Sequence, residues 1–401
     1  MTSLISSLKM RQSTSWKRSK SLLNEDFKKG GSMMQKRYTV SSWQMAALFL
    51  AYITGSAIVW IPAPLTGAAK NAAWISLWLA FGLGTLVLAC ILYLHRRYPD
   101  LTFVEYSELT LGRIATTIIA IPFLGMLLLM LSNITIGISQ FFNSTMMRET
   151  PSYVFHLLIL FTAAITVRAG IEVMARMFML LLIALFIFVF SVLLLNLSSY
   201  RPELLTPVFE QGFKQTFFGI YQTWGFPYGE IILFSTVLPF IRRDRQHLGK
   251  LMFSALLINA ISLSLSILCT IMALGPMAAT VKFSLFELAR LVEVADIIER
   301  IESVIGMTLI AASYMKATIV LFIFNATLSR LLRLQDEKIL IFPTAFLTFL
   351  LTMTMYRNEL EFNENVTAEW PLIITFFGVV PNLIIILVTV LNDWRAKIHK
   401  G

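Results

Sequence analysis

The stretch YQTWGFPYGEIILFS, residues 221–235, decides how this chain is read. It lies inside an apolar run, roughly 215–241, long enough to cross a bilayer. Yet Gly225, Pro227 and Gly229 interrupt it within five residues, and Glu230 follows at once. Glycine and proline weaken a helix, and a carboxylate in hydrocarbon is costly. An unwound turn also leaves backbone N–H and C=O groups unpaired. Such a turn is tolerated at membrane depth only where it lines a cavity or is buried in protein.

Outward from that stretch, ten segments are apolar enough to span: roughly 41–66, 72–94, 114–142, 151–167, 172–197, 215–241, 249–274, 303–329, 339–356 and 370–392. About 20 apolar residues are needed per crossing. The runs are continuous rather than alternating, so they predict helices and not barrel strands. The first span is interrupted as well: AYITGSAIVWIPAPLTG holds Thr54-Gly55-Ser56, then Pro62 and Pro64. Interrupted helices at matching positions of two halves point to an inverted-repeat transporter fold with its substrate site at the breaks. The expected fold is therefore all-α and integral to the membrane, with ten transmembrane helices in a five-plus-five inverted repeat (LeuT-like) and broken helices 1 and 6. A proline-kinked packing defect without a ligand stays open as the plainer alternative.

Composition agrees. Of 401 residues, 57% are hydrophobic and 14% charged, and the mean hydropathy is +0.74. The net charge of +10 invites a nucleic-acid reading, but its distribution argues against one. With the N-terminus inside and sides alternating, the inner face collects 24 Lys/Arg and 10 acids, the outer face 8 and 12. That is the orientation bias of a membrane protein. It predicts both termini in the cytoplasm and no nucleic-acid partner. Two longer outer segments stand out. Residues 275–302 contain FSLFELARLVEVADIIERIE, which predicts one or two amphipathic helices on the outer face. Residues 357–369 read as a solvated acidic connector.

Two charges remain inside spans: Glu230 in the sixth and Lys316 in the eighth. Intramembrane charges usually face a cavity or each other. Lys316 sits in IAASYMKATIV, where positions 312, 313, 316, 319 and 320 share a face, so Ala312 and Ser313 leave room for close approach. Two readings stay open. The two groups form an ion pair that joins two helices, or one or both line a polar site at mid-depth. Half-helix ends at two breaks would favour an anion at one and a cation at the other, which suits a zwitterion such as a free amino acid.

Other chemistry is not signalled. Cys90 and Cys269 sit in apolar runs, and the four histidines are scattered without ligand spacing, so no metal site and no cofactor are expected. No nucleophile–base pair or phosphate loop points to an enzyme. The first 37 residues carry nine Lys/Arg against two acids and read as a basic, disordered cytoplasmic tail that binds anionic lipid or a partner, or as a misassigned start upstream of Met33 or Met34. Residues 38–395 form the membrane domain, and 396–401 a short cytoplasmic C-terminus.

The order and spacing of several motifs add a resemblance. They are YTVSSWQMAALFL, IPAPLTGAAKNAAWIS, FVEYSELTLGR, WGFPYGE followed by LPF, and IIERIESV. Over roughly 38–395 the chain resembles the GerAB-type B subunit of bacterial spore germinant receptors, a branch of the amino acid–polyamine–organocation transporter superfamily. The resemblance implies a nutrient sensor in the spore inner membrane. It would bind a small molecule, commonly an amino acid, and work with an A subunit and a lipoprotein C subunit. In that reading the backbone around Thr54, Gly55 and Ser56 holds the ligand's anionic end. The backbone from Tyr221 to Gly225 and the Glu230 side chain hold its cationic or polar end, while Trp224, Phe226 and Tyr228 shape the pocket. Lys316 would serve as a built-in cation, in place of the ion that bridges the first and eighth helices of sodium-coupled relatives, or as a proton site. An active amino acid permease, with or without proton coupling, is the competing reading.

Overall fold

The computed structural model describes residues 39–209, 212–242, 247–292 and 302–398. The expected basic tail (1–37), the last residues of the expected C-terminal tail (399–401) and part of the outer amphipathic segment (293–301) lie outside them. Among the described residues the regular structure is helical apart from one bridge, Val40 to Ile241. Nine stretches there are long and apolar enough to cross a membrane. The sixth span is the tenth crossing, and it is built from pieces each too short to cross alone.

The first span runs Ser42–Thr54, then resumes as Ala57–Trp60 and Pro62–Ala69. Intact spans follow at Ala73–Arg97, Arg113–Thr145, Ser152–Ala169 and Ile171–Leu195. The sixth comprises Phe213–Thr223, a π turn Trp224–Tyr228, and 3-10 segments Gly229–Thr236 and Leu238–Phe240. The seventh to ninth are Leu248–Leu274, Glu302–Leu331 and Ile341–Thr354. The tenth ends with Val380–Ile398.

Burial sorts these spans into inner and outer. The apolar windows of the first and eighth spans are each 78% buried, against 33% for the fifth. The eighth span packs on the first, third, fourth and fifth. The two helices that carry the first break and Lys316 are therefore central, and the fifth presents Leu180, Ile183 and Ile187 outward, as a lipid-facing helix should.

One connector differs from its sequence reading. Residues 357–369 are helical: Glu359–Glu364 and a π turn Asn365–Glu369 lead straight into Trp370–Ile374. Asn358 caps this helix by accepting from the Glu361 N–H, and Phe362 is buried while Glu359, Glu361 and Glu364 stay exposed. The acids thus mark the wet face of a helix, a pattern that a count of glutamates mistakes for a loop. Among the described residues of the outer segment a 3-10 turn, Gly275–Ala279, and an α-helix, Ser284–Arg290, form, and the α-helix is docked: Leu285, Phe286, Leu288 and Ala289 are buried.

One end of the bundle is clasped. The short helix Phe103–Leu111 opens with a capping box in which Glu105 accepts from the Thr102 N–H at 2.7 Å and its hydroxyl at 2.8 Å. The same carboxylate pairs with Arg330 at 2.8 Å, and Glu108 pairs with Arg333 at 2.8 Å. Tyr106 donates to Asn382 Oδ1 at 2.7 Å. At that end the lead-in to the first span also bridges the end of the sixth, with Val40 N–H to Phe240 O at 3.1 Å and Arg242 N–H to Val40 O at 2.8 Å.

Candidate ligand-binding site

The first span stops where Gly55 takes φ +20° and ψ −132°. A side chain rarely adopts that torsion. A Cβ there would also sit 3.1 Å from both Cβ and Cδ of Lys316, so glycine lets the lysine stem cross the break. The sixth span breaks differently. Phe226 is extended at φ −147° and ψ 116° inside the π turn, and Pro227 brings no N–H. Gly225 meets the tenth span so closely that a Cβ would collide with Pro371 Cγ and lie 2.9 Å from its Cα. Gly225→Ala is expected to cost about 1–3 kcal/mol through overpacking, read as a lower denaturation midpoint in detergent. A midpoint equal to wild type would show that the two spans separate freely.

Glu230 and Lys316 meet between the breaks. Lys316 Nζ lies 2.5 Å from Glu230 Oε2, with the two side chains 2% and 4% exposed. Trp370 Nε1 donates to the other carboxylate oxygen at 2.9 Å, and Tyr52 donates to the Glu230 carbonyl at 3.0 Å. The ammonium stands 3.8 Å from the centroid of Phe226 and 5.8 Å from that of Tyr52, where ring faces attract a cation.

A cavity of about 320 Å³ adjoins this pair. It is lined by Ser56, Trp60 and Pro64 of the first span, Met130, Asn133 and Gly137 of the third, and Gln222, Thr223, Phe226 and Glu230 of the sixth. Lys316, Phe362, Asn363, Val366, Thr367 and Trp370 also line it, with Lys282 of the outer segment. Lys282 is bonded to Glu359 at 2.7 Å in a partly exposed pair. The lining is mainly apolar with a few convergent polar groups, as small-molecule sites are.

Of the residues expected from sequence, Ser56, Phe226, Glu230 and Lys316 line this cavity, and six do not. Thr54 lies behind the first break and accepts from Asn259 Nδ2 at 3.2 Å. Gly55 abuts the Lys316 stem. Tyr221 donates to the Ala368 carbonyl, and Trp224 Nε1 to Thr375 Oγ1 at 2.8 Å. With Gly225 against Pro371, these brace the sixth span on the tenth. Tyr228 is buried against Gly84 and Phe81 of the second span. The sequence reading missed Trp60, Asn133, Gln222 and Trp370. Asn133 had a usable signal, an amide in an apolar span. Its amide donates to Asn365 Oδ1 at 3.0 Å, and its oxygen accepts from Tyr356 at 2.8 Å.

The family described as spore germination protein matches residues 39–360. The chain belongs to that family. Spore germination protein KB of Bacillus subtilis (strain 168) is 22% identical over 368 residues, covering 90% of this chain and 97% of that protein. Spore germination protein YndE of the same strain is 20% identical over 368 residues, covering 90% and 98%. Among solved structures, MhsT in complex with L-phenylalanine superposes with a TM-score of 0.66 at 13% identity, covering 88% of this chain and 99% of that one. A substrate-bound, outward-open Na+-coupled sialic acid symporter gives 0.62 at 13%, covering 90% and 86%. These likenesses establish the fold of this spore germination family member: the LeuT-like, five-plus-five arrangement with broken helices 1 and 6. It is a multi-pass membrane protein of permease or receptor type, not an enzyme.

Proposed function

We propose that this protein is the nutrient-sensing membrane subunit of a spore germinant receptor, and that it binds a small molecule, an amino acid by preference, between its broken helices. The observation that carries the reading is the cavity: residues at both breaks line it, and it ends on the buried Glu230–Lys316 pair. An ionisable residue inside a membrane span is by default a functional-site candidate, and this pair borders a void of small-molecule size. Binding would bias a two-state arrangement of the spans, with A and lipoprotein C subunits reading the change. The charge distribution supports cytoplasmic termini, and the family supports residence in the spore inner membrane.

A thermal-shift screen of amino acids, sugars and nucleosides on the purified chain tests this. A ligand at one hundred times its Kd should stabilise the fold by about 2.7 kcal/mol, and the shift should grow with concentration. A flat response to every compound would sink the reading. The transporter fold makes net transport the second reading, with Glu230 or Lys316 titrating during the cycle. Uptake into proteoliposomes separates the two: accumulation of labelled ligand favours a permease, and binding without accumulation favours a sensor.

A further inference from the structure

Both members of the buried pair line the cavity, and neither depends on its partner alone for support. Glu230 keeps Trp370 Nε1 on its second oxygen. Lys316 keeps the faces of Phe226 and Tyr52. The two charges sit on different kinds of backbone: Glu230 on the 3-10 segment just past the sixth-span break, Lys316 on an unbroken helix. Gln222 lines the same cavity, and its shielded carbonyl oxygen has no hydrogen-bond partner among the described residues.

We propose that the Glu230–Lys316 pair is the resting occupant of the site, and that a free amino acid binds by partner exchange, its ammonium taking Glu230 and its carboxylate taking Lys316. The proposal rests on the cavity being the ligand site. Its physical basis is charge balance. Separating a buried pair without replacement leaves two uncompensated charges, and a ligand with one charge leaves one. A zwitterion leaves none, because one pair becomes two. Gln222 Oε1 offers a further acceptor for the ammonium. Trp60, Met130 and Val366 leave an apolar remainder, which suits an apolar side chain. Exchange also moves the link between the sixth and eighth spans from direct contact to the ligand, so occupancy is converted into a change between two spans.

The test uses the purified full-length chain and matched probes: L-alanine, L-valine and L-leucine, each with its amide, which lacks the carboxylate, and its N-acetyl derivative, which lacks the ammonium. The free amino acid that binds best should exceed both of its derivatives by at least about ten-fold in Kd. The Glu230→Gln/Lys316→Met double variant should lose at least about ten-fold for that amino acid. An amide or N-acetyl form within about three-fold of the free acid overturns the exchange, as does a double variant that binds like wild type. Sugars or nucleosides binding in the cavity while amino acids do not would overturn it and leave the cavity as a ligand site. If no probe and no nutrient binds, the exchange and the sensor reading fall together. The derivative series needs no variant, so a misfolded double variant does not block the result.

Discussion

Lys316→Met and Glu230→Gln, made singly, are each expected to destabilise the protein by about 3–5 kcal/mol, and the double variant to recover most of that loss. Each single change strands a charge in the most buried part of the bundle, where the side chains are 2% and 4% exposed. Removing both leaves a neutral contact, and replacing a buried pair with groups of similar volume is often close to neutral. Trp370 stays bonded to the side-chain oxygen in Glu230→Gln, so the double variant retains one native link. Denaturation midpoints in detergent for the four proteins measure the coupling. The functional arm is decisive. A refolded double variant that no longer responds to ligand places the pair in the site. A double variant with full stability and full response makes the pair a structural pin, and the site assignment fails.

Arg330→Met is expected to cost a similar amount, about 3–5 kcal/mol. Glu105 is 2% exposed, and Arg330 is its cationic partner at 2.8 Å. Without the guanidinium the carboxylate keeps, among the described residues, the Thr102 donors alone. Glu337, 3.7 Å from the same guanidinium, loses its contact as well. Adding Glu105→Gln should restore much of the loss, because the buried charge goes with its partner. Arg330→Lys should fall between, since one ammonium cannot serve two carboxylates as a planar fork does. Chemical denaturation of the four forms measures this, and an Arg330→Met protein within about 1 kcal/mol of wild type would show that solvent already reaches Glu105. The clasp holds the end where Val40 bridges the first span to the sixth. Its loss is therefore expected to loosen both broken spans at once.

Much of the fold was legible because each sign depended on a few neighbouring residues. Thr54-Gly55-Ser56 and WGFPYGE break helices through torsion and missing donors, and both breaks stand in the structure at those positions. The site was less legible. An unwound turn points its side chains by torsions that no helical period predicts, so Phe226 turns into the cavity while Tyr228, two residues on, is buried against the second span. Tyr221, Trp224 and Gly225 look like pocket residues in a linear reading. They contact the tenth span instead, a segment more than 140 residues away in sequence.

The sequence by itself determined how many times the chain crosses, which two spans are broken, and that one carboxylate, Glu230, and one ammonium, Lys316, lie inside spans. Hydrophobic run length, glycine and proline chemistry and the cost of a buried charge act locally, so they can be read along a line. Only the tertiary structure decided that Glu230 and Lys316 touch, that Trp370 holds the second carboxylate oxygen, and which residues face the void. Those outcomes depend on how spans one, three, six, eight and ten are rotated and how closely they approach. Rotation is set by packing around the whole bundle, including Gly55 against Lys316 and Gly225 against Pro371, and close packing is a property of pairs that lie far apart in the chain.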